Sequence, residues 1–218
     1  MSEGLFSAER LRGQVVLITN GSARTTGIVN AFRRGGATVA LTNRAAYSGA
    51  EDLALGLDTG DPAAVSEAFD TVEARLGPVA ILINAPDERH NRPSAEMRLE
   101  MWRQITRTRY DGVFFCCAEF ARRRIAAKKR GWILNLVDPP EVGTAAEQAA
   151  AGGVLNLVKT LGAEWARDGL RVNGIVLAHD DDKTLSAANG ESLAALALYL
   201  CSPYAGFVTA ATLRLGAP

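Results

Sequence analysis

The sequence predicts a doubly wound α/β fold, with one sheet of about seven mainly parallel strands and helices on both faces. The apolar run VVLIT at 15–19 is typical of a strand buried on both faces of a parallel sheet. A helical apolar stripe from Ile28 to Phe32 follows, and Gly35 marks the end of that helix. The run ATVAL then begins a second strand, and strands and helices keep alternating to the end of the chain.

Composition limits the kind of protein this can be. A length of 218 residues suits a single domain over 1–218. Lys plus Arg and Asp plus Glu both number 24, so no overall charge attracts nucleic acid or an anionic membrane. No apolar run is long enough to cross a bilayer, and 3 cysteines without metal-ligand spacing indicate a reducing compartment. We therefore expect a cytoplasmic protein without a metal site, a membrane partner or a nucleic-acid partner.

The remaining elements are predicted from apolar periodicity and from capping residues. The predicted strands are LALGLD, VAILIN, WILNLV, LRVNGIV and a short one near Thr212–Leu215. The predicted helices are one capped by Asp61, one capped by Ser94, Asp111–Lys129, Thr144–Ala166 and Ser192–Tyr199. The acidic stretch His179–Lys183 is interpreted as a solvated loop, because consecutive loop residues seldom converge on a metal.

The turn after the first strand, NGSARTTG, differs from a dinucleotide-binding turn. Such a turn uses closely spaced glycines so that backbone can approach a pyrophosphate. With Gly21 and Gly27 taken as the outer glycines, the middle position is Thr25, and the central glycine is missing. Arg24 is interpreted either as a phosphate ligand or as a side chain that fills the space a cofactor needs. The second interpretation is favoured, because a glycine turn tolerates little bulk.

Seven short motifs occur in the order in which one family has them. They are VVLIT with its altered glycine turn, LDTGDP, ILINAP, GVFF, NLVD, VKTLGAEWA and LRVNGIV. With these motifs, nearly the whole chain resembles the short-chain dehydrogenase/reductase family. The resemblance implies a Rossmann-like fold and hydride transfer between NAD(P) and a carbonyl or alcohol.

The resemblance also identifies the positions at which the family carries its Asn, Ser, Tyr and Lys. They fall on Arg109, Asp138, Glu147 and Ala151, so none of the four is retained. An ionised Glu147 cannot give a proton as a phenol does, and Ala151 supplies no cation. Asp138 and Glu147 are interpreted as ordinary surface carboxylates, and the alternative is an unusual acid–base pair. No catalytic residue is predicted.

A vestigial cofactor site is implied by the same resemblance. Asp58 would lie beside an adenine and Asn84 beside a ribose, with Gly21 and Arg24 at the pyrophosphate turn. Arg44 follows the second strand, where a basic residue favours the 2′-phosphate of NADP over a free ribose hydroxyl. We expect no cofactor to be required, and NADP to bind weakly if any dinucleotide binds.

These observations favour a protein that has lost dehydrogenase activity and acts as a non-catalytic subunit. Its partner would be a second copy or an intact homologue, held through the helices 111–129 and 144–166, which form the main dimer interface in the family. Gly152 and Gly153, with several alanines, would let two such helices approach closely. The apolar contact area is expected from four side chains: Phe114, Phe115, Phe120 and Trp165. The alternative is an atypical NADP-dependent oxidoreductase acting on a carbonyl or alcohol.

Overall fold

A computed structural model describes residues 11–43, 51–86, 93–138, 143–177 and 187–215. These residues form one sheet of seven parallel strands in the order β3-β2-β1-β4-β5-β6-β7. The strands are β1 (Val15–Thr19), β2 (Thr38–Asn43), β3 (Leu53–Gly56), β4 (Val79–Asn84), β5 (Gly131–Val137), β6 (Leu170–Val176) and β7 (Thr212–Arg214). The predicted fold class is confirmed. The strand order reverses between β1 and β4, and in such sheets ligands bind outside the carboxyl ends of the strands at this point.

Helices cover both faces of the sheet. They are α1 (Thr26–Arg34), α2 (Pro62–Leu76), α3 (Leu99–Thr106), α4 (Gly112–Ala126), α5 (Ala145–Glu164) and α6 (Ala187–Leu200). Successive residues of β1 belong to two different hydrophobic cores, one on each face of the sheet. Val16 and Ile18 pack with the side chains of α1 and α6, whereas Val15 and Leu17 pack with those of α2, α4 and α5. Because β1 is buried on both faces, its sequence is an unbroken apolar run.

Two helix starts follow directly from their capping residues. The Asp61 carboxylate accepts hydrogen bonds from the backbone N–H groups of Ala63 and Ala64 at the start of α2. Thr144 caps α5 by a reciprocal arrangement, in which its hydroxyl accepts from the N–H of Glu147 and the Glu147 carboxylate accepts from the N–H of Thr144. The second cap places the Glu147 carboxylate at the first turn of α5.

Several predicted boundaries need correction. Ser94 opens a separate 3-10 turn, and the residue that precedes α3 is Arg98. The long helix ends at Ala126, and a π-helical turn at Arg107–Asp111 joins it to α3. The stretch His179–Lys183 lies outside the described residues. Within the part of the chain that the structure describes, no helix is both long enough and apolar enough to cross a membrane.

Candidate active site

A row of polar side chains crosses three neighbouring strands near their carboxyl ends. The Thr19 hydroxyl donates to Oδ1 of Asn84 at 2.8 Å, and Nδ2 of Asn84 donates to Oδ1 of Asn135 at 2.9 Å. These residues face one another in register on β1, β4 and β5. The polar groups of Asn84 are thus bonded to neighbouring strands. These bonds hold together the carboxyl ends of β1, β4 and β5, which support the site.

Just beyond this row, four charged side chains form a buried cluster. Arg24 Nη2 lies 2.8 Å from Asp138 Oδ1, and Arg109 Nη1 lies 2.8 Å from Asp138 Oδ2. Arg109 Nη2 also faces Glu147 Oε1 at 3.9 Å. Arg24 has 14% of its side-chain surface exposed, whereas the other three side chains have 3–6% exposed. We call Arg24, Asp138, Arg109 and Glu147 the charged cluster.

Each member of the charged cluster comes from a different element. Arg24 lies in a 3-10 turn between β1 and α1, and Asp138 follows the last residue of β5. Arg109 lies in the π-helical turn before α4, and Glu147 lies in the first turn of α5. The fold therefore gathers at the carboxyl edge of the sheet groups that are far apart in sequence.

The arginines determine the charge of Asp138. Burial alone raises the pKa of this carboxyl group, but the guanidinium groups of Arg24 and Arg109 outweigh burial and lower its pKa below the ordinary value. Asp138 is therefore ionised at neutral pH and is a poor proton acceptor. Isolated buried charges are costly, so the cluster holds together only because each charge faces an opposite one.

The structure corrects the interpretation of these two carboxylates. Asp138 and Glu147 are both buried and bonded, and neither is an ordinary surface carboxylate. Three of the four tetrad positions thus meet in one cluster, while Ala151 is a buried apolar residue of the core beside α2, α4 and α5. Alignment identified the positions but could not show that an arginine from the π-helical turn pairs with both acids.

The other candidate residues are placed as follows. Gly21 is a packing glycine, because an added Cβ would lie 2.2 Å from the Leu41 side chain. Its carbonyl accepts from Nδ2 of Asn43 at 2.8 Å, which ties the turn to β2. Asp58 pairs with Arg107 at 3.0 Å on the half-exposed rim and is not part of the charged cluster. Arg44 lies outside the described residues.

Arg107 was not anticipated from the sequence. It lies in the same π-helical turn as Arg109, and it reaches Asp58 and the carbonyl of Gly60. In a regular helix, residues two apart point to different sides, so the sequence spacing did not suggest that both arginines reach this edge. The π-helical turn thus supplies one arginine to the rim and one to the interior.

Comparisons with known proteins identify the relatives of this chain. The family described as enoyl-(acyl carrier protein) reductase matches residues 23–179. A galactitol 2-dehydrogenase (L-tagatose-forming) from Cereibacter sphaeroides is 30% identical over 243 residues, which covers 94% of both chains. A D-threitol dehydrogenase from Mycolicibacterium smegmatis is 30% identical and covers 94% of this chain and 92% of its own. The chain belongs to the short-chain dehydrogenase/reductase family.

A solved structure supports the same assignment. The crystal structure of a short chain dehydrogenase from Bacillus anthracis superposes with a TM-score of 0.84 at 25% identity, covering 94% of this chain and 96% of its own.

A further relative from Xanthobacter autotrophicus, 30% identical over 81% of this chain, is named an inactive 2-(S)-hydroxypropyl-CoM dehydrogenase 2. The family and the fold therefore agree with the motifs of the sequence.

The prediction that this chain has lost dehydrogenase activity is contradicted. Two relatives that match it over almost its full length are named dehydrogenases, and the relative named inactive is matched over a smaller share. The prediction assumed that activity ends where the family's side chains are missing. The structure instead places ionisable groups at three of those four positions, in contact with one another.

Proposed function

We propose that this protein is an oxidoreductase that interconverts a hydroxyl and a carbonyl group on a small polyol-like substrate, with NADP as its cofactor. One observation carries the proposal: the buried charged cluster stands at the carboxyl edge beside the switch point, where this fold binds ligands. A buried cluster of charges contributes little to the stability of a fold. Its presence at the ligand-binding edge therefore favours a catalytic role. The relatives named galactitol and D-threitol dehydrogenases indicate the substrate class.

Two backbone amides of the turn after β1 are already bonded within the turn. The N–H of Ser22 donates to the Thr25 hydroxyl at 3.1 Å, and the N–H of Arg24 donates to the Ser22 hydroxyl at 3.2 Å. Two amides that could face a pyrophosphate are therefore bonded within the turn. The Arg24 guanidinium is a group of this turn that is suited to a phosphate. The preference for NADP rests on Arg44 and its position after β2.

In this proposal the cofactor, when bound, would accept or donate the hydride, and Glu147 accepts or donates the proton. Its Oε2 is fixed by the N–H of Thr144 at 2.6 Å, and its Oε1 faces Arg109 across 3.9 Å, which is longer than a hydrogen bond. A carboxylate so held can accept a proton from a hydroxyl, with Arg109 stabilising negative charge on the reacting oxygen. This arrangement suits alcohol oxidation better than carbonyl reduction.

Replacing Glu147 by Gln tests this role. We expect the wild-type chain to reduce NADP with galactitol or D-threitol, and Glu147→Gln to lower kcat by about a hundredfold, the scale of a lost general base. The measurement is the absorbance of the reduced nicotinamide, with NAD assayed in parallel. Glu119→Gln is the control, because Glu119 pairs with Arg122 and Arg123 on α4 outside the charged cluster. Wild-type protein that turns over no polyol or ketone with either cofactor would contradict the function, and an unchanged kcat would contradict the role of Glu147.

We also propose that the chain associates through the outer faces of α4 and α5, with a second copy or a homologue as partner. Phe114 on α4 is 39% exposed, and an added Cβ at Gly152 on α5 would meet nothing within 4 Å. Gly153 has a role within the chain, because its added Cβ would lie 2.6 Å from the Tyr110 ring. Phe120 and Trp165 are buried core residues, so the prediction that they supply contact area is wrong.

Phe114→Glu tests the association. A charge at the centre of an apolar contact is costly, so we expect light scattering to show a smaller species for this variant than for the wild-type chain at micromolar concentration. Tyr204→Glu is the matched control, because Tyr204 is 43% exposed and lies outside both helices. A wild-type monomer, alone and with an intact homologue, would contradict the association.

A further inference from the structure

The contact between Arg24 and Asp138 spans the switch point of the sheet. Arg24 follows β1 and Asp138 follows β5, while β4 lies between these strands. Neighbouring strands are about 4.8 Å apart, so β1 and β5 lie about 10 Å apart with the carboxyl end of β4 between them. The contact therefore crosses the crevice between β1 and β4, in which doubly wound folds bind their ligands.

Asp138 does not depend on Arg24 alone for a counter-charge. Asp138 is bonded to Arg109 as well as to Arg24, with both distances at 2.8 Å. If Arg24 moves away, Asp138 keeps one buried counter-charge, so the carboxylate is not left unpaired. Arg24 is also the more exposed of the two side chains, at 14% against 6%. Arg24 is therefore the partner that can be exchanged.

A guanidinium group binds a carboxylate and a phosphate through the same planar fork of N–H donors. The Asp138 carboxylate and a pyrophosphate would therefore bind to the same N–H donors of Arg24. The side chain starts from the turn that faces the pyrophosphate in this fold, and the amides of Ser22 and Arg24 in that turn are already bonded. An anion that enters the crevice must therefore compete with Asp138 for the guanidinium.

We propose that Arg24 exchanges partners: it closes the crevice while it is paired with Asp138, and it binds the pyrophosphate of a dinucleotide when that pairing opens. Asp138 acts as an internal anion that competes with the cofactor and keeps its binding weak. The inference rests on the proposed function, since it requires a dinucleotide in this crevice. It assigns opposite effects on affinity to two residues that form one ion pair.

Calorimetric titration of the purified chain with NADPH tests the exchange. We expect Asp138→Asn to bind about tenfold more tightly than wild type, the scale of one charge-assisted hydrogen bond regained. Arg24→Gln should bind more weakly than wild type, and the double variant should bind no more tightly than Arg24→Gln. Asp138→Ser repeats the first measurement with a smaller side chain, and thermal unfolding of each variant checks that it is folded.

A matched control removes a carboxylate from a remote pair. Asp70 pairs with Arg123 at 2.7 Å and is 69% exposed, so Asp70→Asn makes the same change in net charge outside the crevice. We expect its affinity for NADPH to equal that of the wild-type chain. A gain equal to that of Asp138→Asn would show an effect of net charge alone, which overturns the exchange.

The other outcomes separate the inference from the proposed function. Tighter binding by Arg24→Gln would mean that Arg24 only obstructs the crevice, and a gain that persists in the double variant would mean that Asp138 acts by repulsion. Either result overturns the exchange and leaves the oxidoreductase proposal standing, as does binding that no substitution alters. Folded wild-type and variant chains that all fail to bind NADPH and NADH overturn both.

Discussion

Replacing Arg109 by Met lowers the free energy of unfolding by about 3–5 kcal/mol, the usual cost of removing one partner from a buried ion pair. Arg109 is 5% exposed and faces both Asp138 and Glu147. Its loss leaves Glu147 without the facing cation and leaves Asp138 with Arg24. Met fills most of the volume, so the loss reports charge rather than a cavity. Urea unfolding followed by circular dichroism measures it.

The pH dependence of this loss provides a second readout. Because the pKa of Asp138 is lowered in the folded chain, its pairing adds stability above the unfolded pKa of about 3.9, and that stability is lost as pH falls through the folded pKa. Wild type and Arg109→Met should therefore differ most near neutral pH and converge in acid. A gap that does not narrow toward pH 3 would contradict the electrostatic origin.

Arg107→Met is the matched control, two residues away in the same π-helical turn. Arg107 pairs with Asp58, and both side chains are about half exposed. Exposed pairs contribute about 1 kcal/mol or less, so this variant should stay close to wild type. If the two variants had equal free energies of unfolding, the buried pairs of Arg109 would contribute no more to stability than the exposed pair of Arg107.

The contrast between these two arginines shows where prediction from sequence stops. Strands such as β1 and β4 were predictable because a parallel sheet buried on both faces requires continuous apolar runs. Their order was predictable because alternating strands and helices favour the doubly wound fold. The cap at Asp61 was predicted correctly because it acts on N–H groups only a few residues away, whereas the predicted cap at Ser94 was wrong. Interactions that are local in sequence leave a readable pattern.

The sequence was sufficient to locate the residues of the candidate site, but not to predict how their side chains contact one another. Asp138 and Glu147 could be located by motif, yet their burial depends on Arg109, whose direction is set by a π-helical turn that has no sequence signature. The bond between Arg24 and Asp138 joins residues 114 apart in the chain. The misjudgement of both acids as surface groups follows from reading each one without its partner.

Gly162→Ala has a large expected effect of steric rather than electrostatic origin. Gly162 lies in α5 where the helix crosses the segment that leads into β7, and an added Cβ would lie 2.6 Å from the backbone N of Ala210 and 2.7 Å from its Cα. The Ala210 backbone is fixed, since its N–H donates to the carbonyl of Val172 at 2.8 Å and its φ is 60°. The neighbour cannot yield as the end of a flexible side chain would.

Two effects of opposite sign therefore compete at Gly162. Alanine in a helix interior is about 1 kcal/mol more favourable than glycine, but overpacking against a fixed neighbour costs about 1–3 kcal/mol. A contact at 2.6 Å with backbone places the cost at the upper end of that range, so we expect a net loss of about 2 kcal/mol. Gly152→Ala is the control on the same helix, because its added Cβ meets nothing within 4 Å and only the gain in helix propensity applies. Both substitutions are measured by urea unfolding in the Phe114→Glu chain, so that association does not contribute. If Gly162→Ala were as stable as Gly152→Ala, the close crossing of α5 and the β7 segment would be wrong.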